Sequence, residues 1–205
     1  MDQMKSFALI ALGSNQTFGE FKPLDLVERA ISRLSEGPLR LLRQSGFYQT
    51  PAFPAGSGPD FVNAAVAVQV PAGMAPDAVL DILHAVEAEM GRVRHARWGQ
   101  RTLDIDLIAL NDLVVPDAQT QAHWRGLSAE DQQRLSPDQL ILPHPRMQDR
   151  AFVLVPLADV APDWSHPALG RTVVEMLAAL PAPDRDDVRT ISRGSGLSSP
   201  NIARI

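Results

Sequence analysis

Cysteine is missing from all 205 residues, which excludes disulfides and thiolate metal sites. Lysine is nearly missing: Lys5 and Lys22 are the only two, and neither closes a Gly-x-x-x-x-Gly-Lys-Ser/Thr phosphate loop. The protein-kinase signatures are absent as well, so any nucleotide must be held by another design. No apolar run approaches the roughly 18 residues that cross a bilayer. The opening MDQMKSFALIALGSN lacks the basic stretch and long apolar core of a secretory signal, and a cytoplasmic location is expected. Cations are outnumbered, at net charge −5, which argues against broad non-specific binding to nucleic acid. What is present, 45% hydrophobic and 21% charged residues, is the make-up of one ordinary globular domain.

Periodicity gives the order of elements. Phe7 to Leu12 reads as a buried strand entering the turn Gly13-Ser14-Asn15. Leu24, Val27, Ile31 and Leu34 follow at helical spacing until Gly37-Pro38, and Leu39 to Tyr48 reads as a second strand. TPAFPAGSGP, from Thr50 to Pro59, is a loop. Phe61 to Val70 alternates, with Val62, Ala64, Val66, Val68 and Val70 on one face and Phe61, Asn63, Ala65, Ala67 and Gln69 on the other. A helix starts at Pro76, turns Val79, Ile82, Leu83, Val86 and Met90 inward, and ends at Gly91. Thr102 to Leu110 is a further strand. The order β-α-β-β-α-β predicts an α+β, ferredoxin-like αβ sandwich. It has a mainly antiparallel sheet, two helices on one face, and additional C-terminal elements. Residues 1–182 are expected to form a single domain with an insertion at 116–138, including a short helix around Ser128 to Arg134 with Ser128 as its cap. Residues 183–205 are expected to be a mobile C-terminal tail.

The chemistry concentrates in RVRHARWGQRTLDID, Arg92 to Asp106. Residues i and i+2 of a strand share a face, so Asp104 and Asp106 stand together while Leu103, Ile105 and Leu107 point the other way. Two adjacent carboxylates suit a Mg²⁺ that also binds phosphate, or else a solvated strand face or ion pairs with neighbouring arginines. Arg92, Arg94, Arg97 and Arg101 suit phosphate oxygens, or else a helix cap and a solvated loop. Trp98 offers a wall for a flat base. Asn63 and Phe61 would suit a planar heterocycle, or are simply a polar outer face. His144, between two prolines, is a turn residue or a phosphate donor, and Phe152 taken alone reads as core.

Together these segments resemble one family, the 6-hydroxymethyl-7,8-dihydropterin pyrophosphokinases of folate biosynthesis. The matching text is ALGSN (Ala11–Asn15), FYQTPAF (Phe47–Phe53), PDFVNAAVAV (Pro59–Val68), GRVRHARWGQRTLDIDLI (Gly91–Ile108) and LPHPRMQDRAFVLVPLADVAP (Leu142–Pro162). The resemblance implies transfer of pyrophosphate from ATP to the pterin hydroxymethyl group, with release of AMP. It implies that Asp104 and Asp106 hold two Mg²⁺ ions and that Arg92 and Arg101 clamp phosphates. Arg94, Arg97 and Trp98 would belong to a closing loop, and Glu87, Leu107, His144 and Arg150 to the ATP side. Phe61 and Phe152 would sandwich the pterin, with Asn63 and the stretch holding Thr50, Pro51 and Phe53 reading its edge. Phe61 stands where relatives often carry tyrosine, and Pro145 where some carry an aromatic. The implied partners are these two small molecules, with no nucleic acid, membrane or obligate protein partner, and no fused pathway domain.

Two other classes fit parts of the pattern. A metal-dependent phosphohydrolase or nucleotidyltransferase would use the same aspartates but give different products. A ferredoxin-like RNA-binding module would want a basic sheet face, and an acidic pair on a strand repels phosphodiester.

Overall fold

The computed structural model describes residues 6–52, 58–92 and 102–192, and β1 (Phe7–Ser14) runs through the middle of its sheet. The chain continues through α1 (Pro23–Glu36), β2 (Arg40–Gln44), β3 (Tyr48–Thr50), β4 (Phe61–Gln69), α2 (Pro76–Glu89) and β5 (Asp104–Leu110). β1 pairs with β5 on one side and β4 on the other, while β2 and β3 share the far edge of β4, all antiparallel. This is the βαββαβ core that the sequence predicts.

Both helices form where apolar residues recur at helical spacing. In α1 these are Leu26, Val27, Ala30, Ile31 and Leu34, all buried; Pro23 occupies the first turn, and the Lys22 N–H donates to Asp25 at 2.9 Å. α2 buries Val79, Leu83 and Val86. The two helices cover one sheet face, over Ile10, Leu12, Val66, Val68, Ile105 and Leu107. Each such fully buried large side chain contributes roughly 1.5–3 kcal/mol.

The strand expected over 39–48 is broken in two. At the break the Ser45 N–H donates to the Ala65 carbonyl at 2.9 Å, while the Ser45 hydroxyl accepts the Ala65 N–H at 2.8 Å. The side chain thus replaces a ladder partner. Asp159 then gathers the next residues, accepting from the Gly46 N–H (3.0 Å) and the Tyr48 hydroxyl (2.6 Å). Burial, then Asp159, pushes the Tyr48 phenol up to about 12.

Beyond β5 come α3 (Ala118–Arg125), α4 (Ala129–Arg134), α5 (Ala151–Val160), β6 (Ser165–His166), β7 (Arg171–Thr172), α6 (Val173–Ala179), α7 (Ala182–Asp186) and β8 (Arg189–Thr190). α4 is capped at Ser128, as expected, and α3 is an addition that its polar composition concealed. α5 and α6 cover part of the second sheet face, over Leu9, Ala65, Ala67 and Ile108. Phe152, read alone as core, is 40% exposed instead, because Ala151, Val153 and Leu154 take the inward phase of α5. The tail expected from 183 is also corrected in part: Thr190 pairs with Tyr48, and the Ile191 N–H donates to the Phe47 carbonyl at 2.8 Å. Residues 193–205 lie outside the described residues.

Candidate active site

The second sheet face changes character beyond α5. Following its period-2 pattern, β1 passes from Leu9 and Ala11 to Gly13, β4 from Ala67 and Ala65 to Asn63 and Phe61, and β5 from Ile108 to Asp106 and Asp104. The register sets Asp104 opposite Gly13, Gly13 opposite Asn63, and Asn63 opposite Tyr48, a single row across four strands. Asp106 lies opposite Ala11 in the neighbouring row. Two strand spacings separate the acidic pair from Asn63, about 10 Å at 4.8 Å each. Between them stands only Gly13, where a Cβ would come within 3.2 Å of the Asn63 Oδ1 and 4.0 Å of the Phe61 ring. A larger side chain there would push against the amide.

Asn63 is buried, and its amide nitrogen donates to Thr50 Oγ1 at 2.8 Å, which leaves one N–H and Oδ1 for other partners. Pro51 next to it is exposed, Phe61 is half-buried, and Phe152 presents an open ring with the Arg150 guanidinium 5.5 Å from its centroid.

At the other end, α2 delivers Glu87 beneath β5. Its carboxylate is 1% exposed, accepts the Ile105 N–H at 2.7 Å, and pairs with Arg92. Arg92 Nη1 also reaches Asp104 Oδ1 at 2.7 Å. Glu87 therefore fixes both the strand and the arginine that faces the aspartates. Gly91, at φ +81°, makes the turn that aims Arg92 there, and Phe18 packs so closely that a Cβ at 91 would overlap its ring.

His144 is tethered to the same strand, its N–H donating to the Ile108 carbonyl at 2.8 Å. Its Nδ1 accepts the Arg146 N–H at 3.2 Å, so the neutral ring carries its proton on Nε2. Burial first, then Arg150 and Arg146, pushes the imidazole down to about 3, outweighing the opposite pull of Asp104. It is a neutral donor at physiological pH. Among the described residues no carboxylate pairs with Arg150 or Arg146. A surface hollow of about 400 Å³ between Glu20, Phe21, Asp25, Glu28 and Arg29 shares none of these residues.

A family model described as 7,8-dihydro-6-hydroxymethylpterin-pyrophosphokinase (HPPK) matches residues 9–162. The 2-amino-4-hydroxy-6-hydroxymethyldihydropteridine pyrophosphokinase of Pseudomonas aeruginosa is 37% identical over 173 residues, covering 84% of this chain and 90% of that one. That of Synechocystis sp. is 35% identical over 171 residues, covering 83% and 74%. The chain belongs to this family. A crystal structure of Plasmodium falciparum HPPK-DHPS with pteroate superposes with a TM-score of 0.58 at 15% identity, over 86% of this chain. That likeness is one of fold, and this chain spans 43% of the solved one.

Of the residues that the pyrophosphokinase pattern marks in this sequence, Asp104, Asp106, Arg92, Glu87, His144 and Arg150 gather around β5. Thr50, Phe61 and Asn63 gather around β4. Leu107 also lies on β5, with its side chain in the core against α1 and α2. Phe53, Arg94, Arg97, Trp98 and Arg101 lie outside the described residues. The sequence reading did not single out Gly13 or Arg146. The ALGSN match carried Gly13 in view, but only the pairing register shows that it opens the row. Among the described residues no helix is long and apolar enough to cross a membrane.

Proposed function

We infer that this chain transfers the pyrophosphoryl group of ATP to the hydroxymethyl group of 6-hydroxymethyl-7,8-dihydropterin, giving AMP and the pterin diphosphate for folate biosynthesis. The observation that carries the division of labour is the cross-strand row Asp104–Gly13–Asn63, which separates an acidic phosphate end from an amide-and-aromatic end by about 10 Å. A bicyclic heterocycle with its reacting arm between the two ends spans that gap.

Asp104 and Asp106 fit a hard divalent cation. Both are partly exposed on one face of β5, and Asp104 pairs with the Arg92 guanidinium at 2.7 Å. Mg²⁺ is commonly held by one or two carboxylates together with substrate phosphates and water. Two such ions are the expected occupants, supplying charge neutralisation at the phosphates.

The protein's own residues bind and align. Arg92, braced by Glu87, has guanidinium N–H groups left for phosphate oxygens, and His144 offers Nε2–H without adding charge. Arg150 adds a cation at the start of α5. Asn63 reads the heterocycle edge with its remaining N–H and Oδ1, Thr50 keeps that amide from rotating, and Phe61 and Phe152 supply ring faces. The hydroxymethyl oxygen then attacks the β-phosphorus in line. The new O–P bond forms as the bond to the α-phosphate oxygen breaks, AMP leaves, and the hydroxyl proton is released. Positioning and electrostatics supply most of the rate in such transfers.

The test is a coupled AMP-release assay with ATP, Mg²⁺ and the reduced hydroxymethylpterin. AMP that forms only when the pterin is present supports the reading. Folded protein that releases none, or that makes ADP or inorganic phosphate instead, refutes it in favour of a phosphohydrolase or another transferase.

A further inference from the structure

The segment between Val115 and Leu142 takes no part in the central sheet, yet its buried contacts converge on one turn. It leaves and returns at a two-bond bridge, the Val115 and Leu142 N–H groups donating to each other's carbonyls at 2.9 and 3.0 Å. Gln121 on α3 is fully buried. Its Nε2–H donates to the Pro143 carbonyl at 3.2 Å, and its Oε1 accepts from Arg125 at 2.7 Å. A buried amide on an otherwise polar, exposed helix stabilises only through such bonds. A second tie runs the other way, the Arg146 guanidinium donating to the Gln132 carbonyl in α4. These two ties hold the residue before His144 and the second residue after it. His144 itself is bonded to β5 through Ile108 and to the Arg146 N–H through Nδ1.

We propose that Gln121 and Arg146 are positioning residues, through which the 116–141 segment holds His144 with its Nε2–H beside the phosphate end of the site and so sets affinity for the nucleoside triphosphate, not for the heterocycle. This rests on the function proposed above. The selectivity follows from topology. His144 hangs from β5, whereas Asn63 and Phe61 lie two strands away on β4 and are braced by Thr50 on β3. Among the described residues no hydrogen bond joins the segment to β3 or β4.

The experiment compares wild type with Gln121→Leu, Arg146→Met and Arg146→Lys. It measures binding of α,β-methylene-ATP with Mg²⁺, binding of the pterin, steady-state kinetics and the ring-nitrogen spectrum of His144. Gln121→Leu and Arg146→Met should raise the Kd of the analogue and the KM for ATP roughly tenfold, while the pterin Kd and the turnover at saturating ATP hold. Arg146→Lys should restore most of the affinity. His144 should be the Nε2–H tautomer in wild type and a mixture in the two weakened variants. Should Gln121→Leu fail to fold, Arg146→Met and Arg146→Lys carry the test by themselves. Unchanged nucleotide affinity in the folded variants, or equal loss of nucleotide and pterin affinity, overturns the proposal. Wild type that binds the analogue but releases no AMP overturns the functional reading alone. Wild type that releases AMP while the variants keep its nucleotide affinity overturns this inference alone.

Discussion

At the residue scale, what distinguishes this site is how each functional group is held. Asp106 faces out from a strand whose alternate residues, Ile105 and Leu107, are locked in the core, so its carboxylate has little freedom to turn away. Asp106→Asn should lower turnover roughly a hundredfold or more and leave the pterin Kd nearly unchanged, read by steady-state kinetics beside equilibrium pterin binding. Equal losses in both would show that the metal role is misassigned. Asn63 should behave in the opposite sense. Asn63→Ala removes the amide and strands Thr50 Oγ1, so the pterin Kd should rise roughly ten- to a hundredfold while nucleotide affinity stays put. A variant that loses nucleotide affinity instead would break the two-ended assignment. The sequence makes the type of each residue visible but not its support. Glu87 falls on the inward stripe of α2, at i+4 from Leu83 and i+8 from Val79, a position where spacing leads one to expect an apolar residue. Its carboxylate is satisfied there by a bond to the Ile105 backbone eighteen residues away, which no local pattern encodes.

At the scale of elements, α2 and the turn after it aim the arginine side of the site. Gly91 adopts φ +81°, and the Phe18 ring occupies the space where a side chain would stand. Gly91→Ala should therefore cost about 2 kcal/mol or more in urea unfolding, from left-handed backbone strain of about 1–2 kcal/mol plus the clash. Adding Phe18→Ala should recover the clash and not the strain; a double variant no more stable than Gly91→Ala would rule out the contact. Where periodicity is strong, as in β1, α1, β4 and α2, the sequence is enough to read the element. It fails where a side chain substitutes for backbone, as Ser45 does between β2 and β3, and where a polar helix is held by one buried amide, as α3 is by Gln121. It fails again at β8, because Arg189 and Thr190 pair with a strand about 140 residues earlier and carry no apolar pattern of their own.

At the scale of the whole molecule, two histidines tie the fold to pH. His166, in the β6–β7 hairpin against Trp164, has no exposed surface; burial, then Arg125, pushes it down to about 4. His144 lies at about 3. Both have an ordinary value of 6.5, so between about pH 6.5 and pH 4 the unfolded chain binds more protons than the folded one. Their stabilising contribution is complete above pH 6.5 and falls as pH falls through that window. Urea midpoints should drop from pH 7 to pH 5, and His166→Phe should flatten that slope; an unchanged slope would contradict the assignment. One sheet face, covered by α5 at one end, carries at the other the acidic pair Asp104 and Asp106 and the Asn63–Phe61 pair, which the proposed reaction would use together. The most direct measurement follows label from ATP marked at the β-phosphorus, with Mg²⁺ and the reduced hydroxymethylpterin. The account predicts that the label moves to the pterin, with the γ-phosphate still attached, and that the AMP is unlabelled. Label left on ADP, or released as inorganic phosphate or pyrophosphate without pterin product, would contradict it.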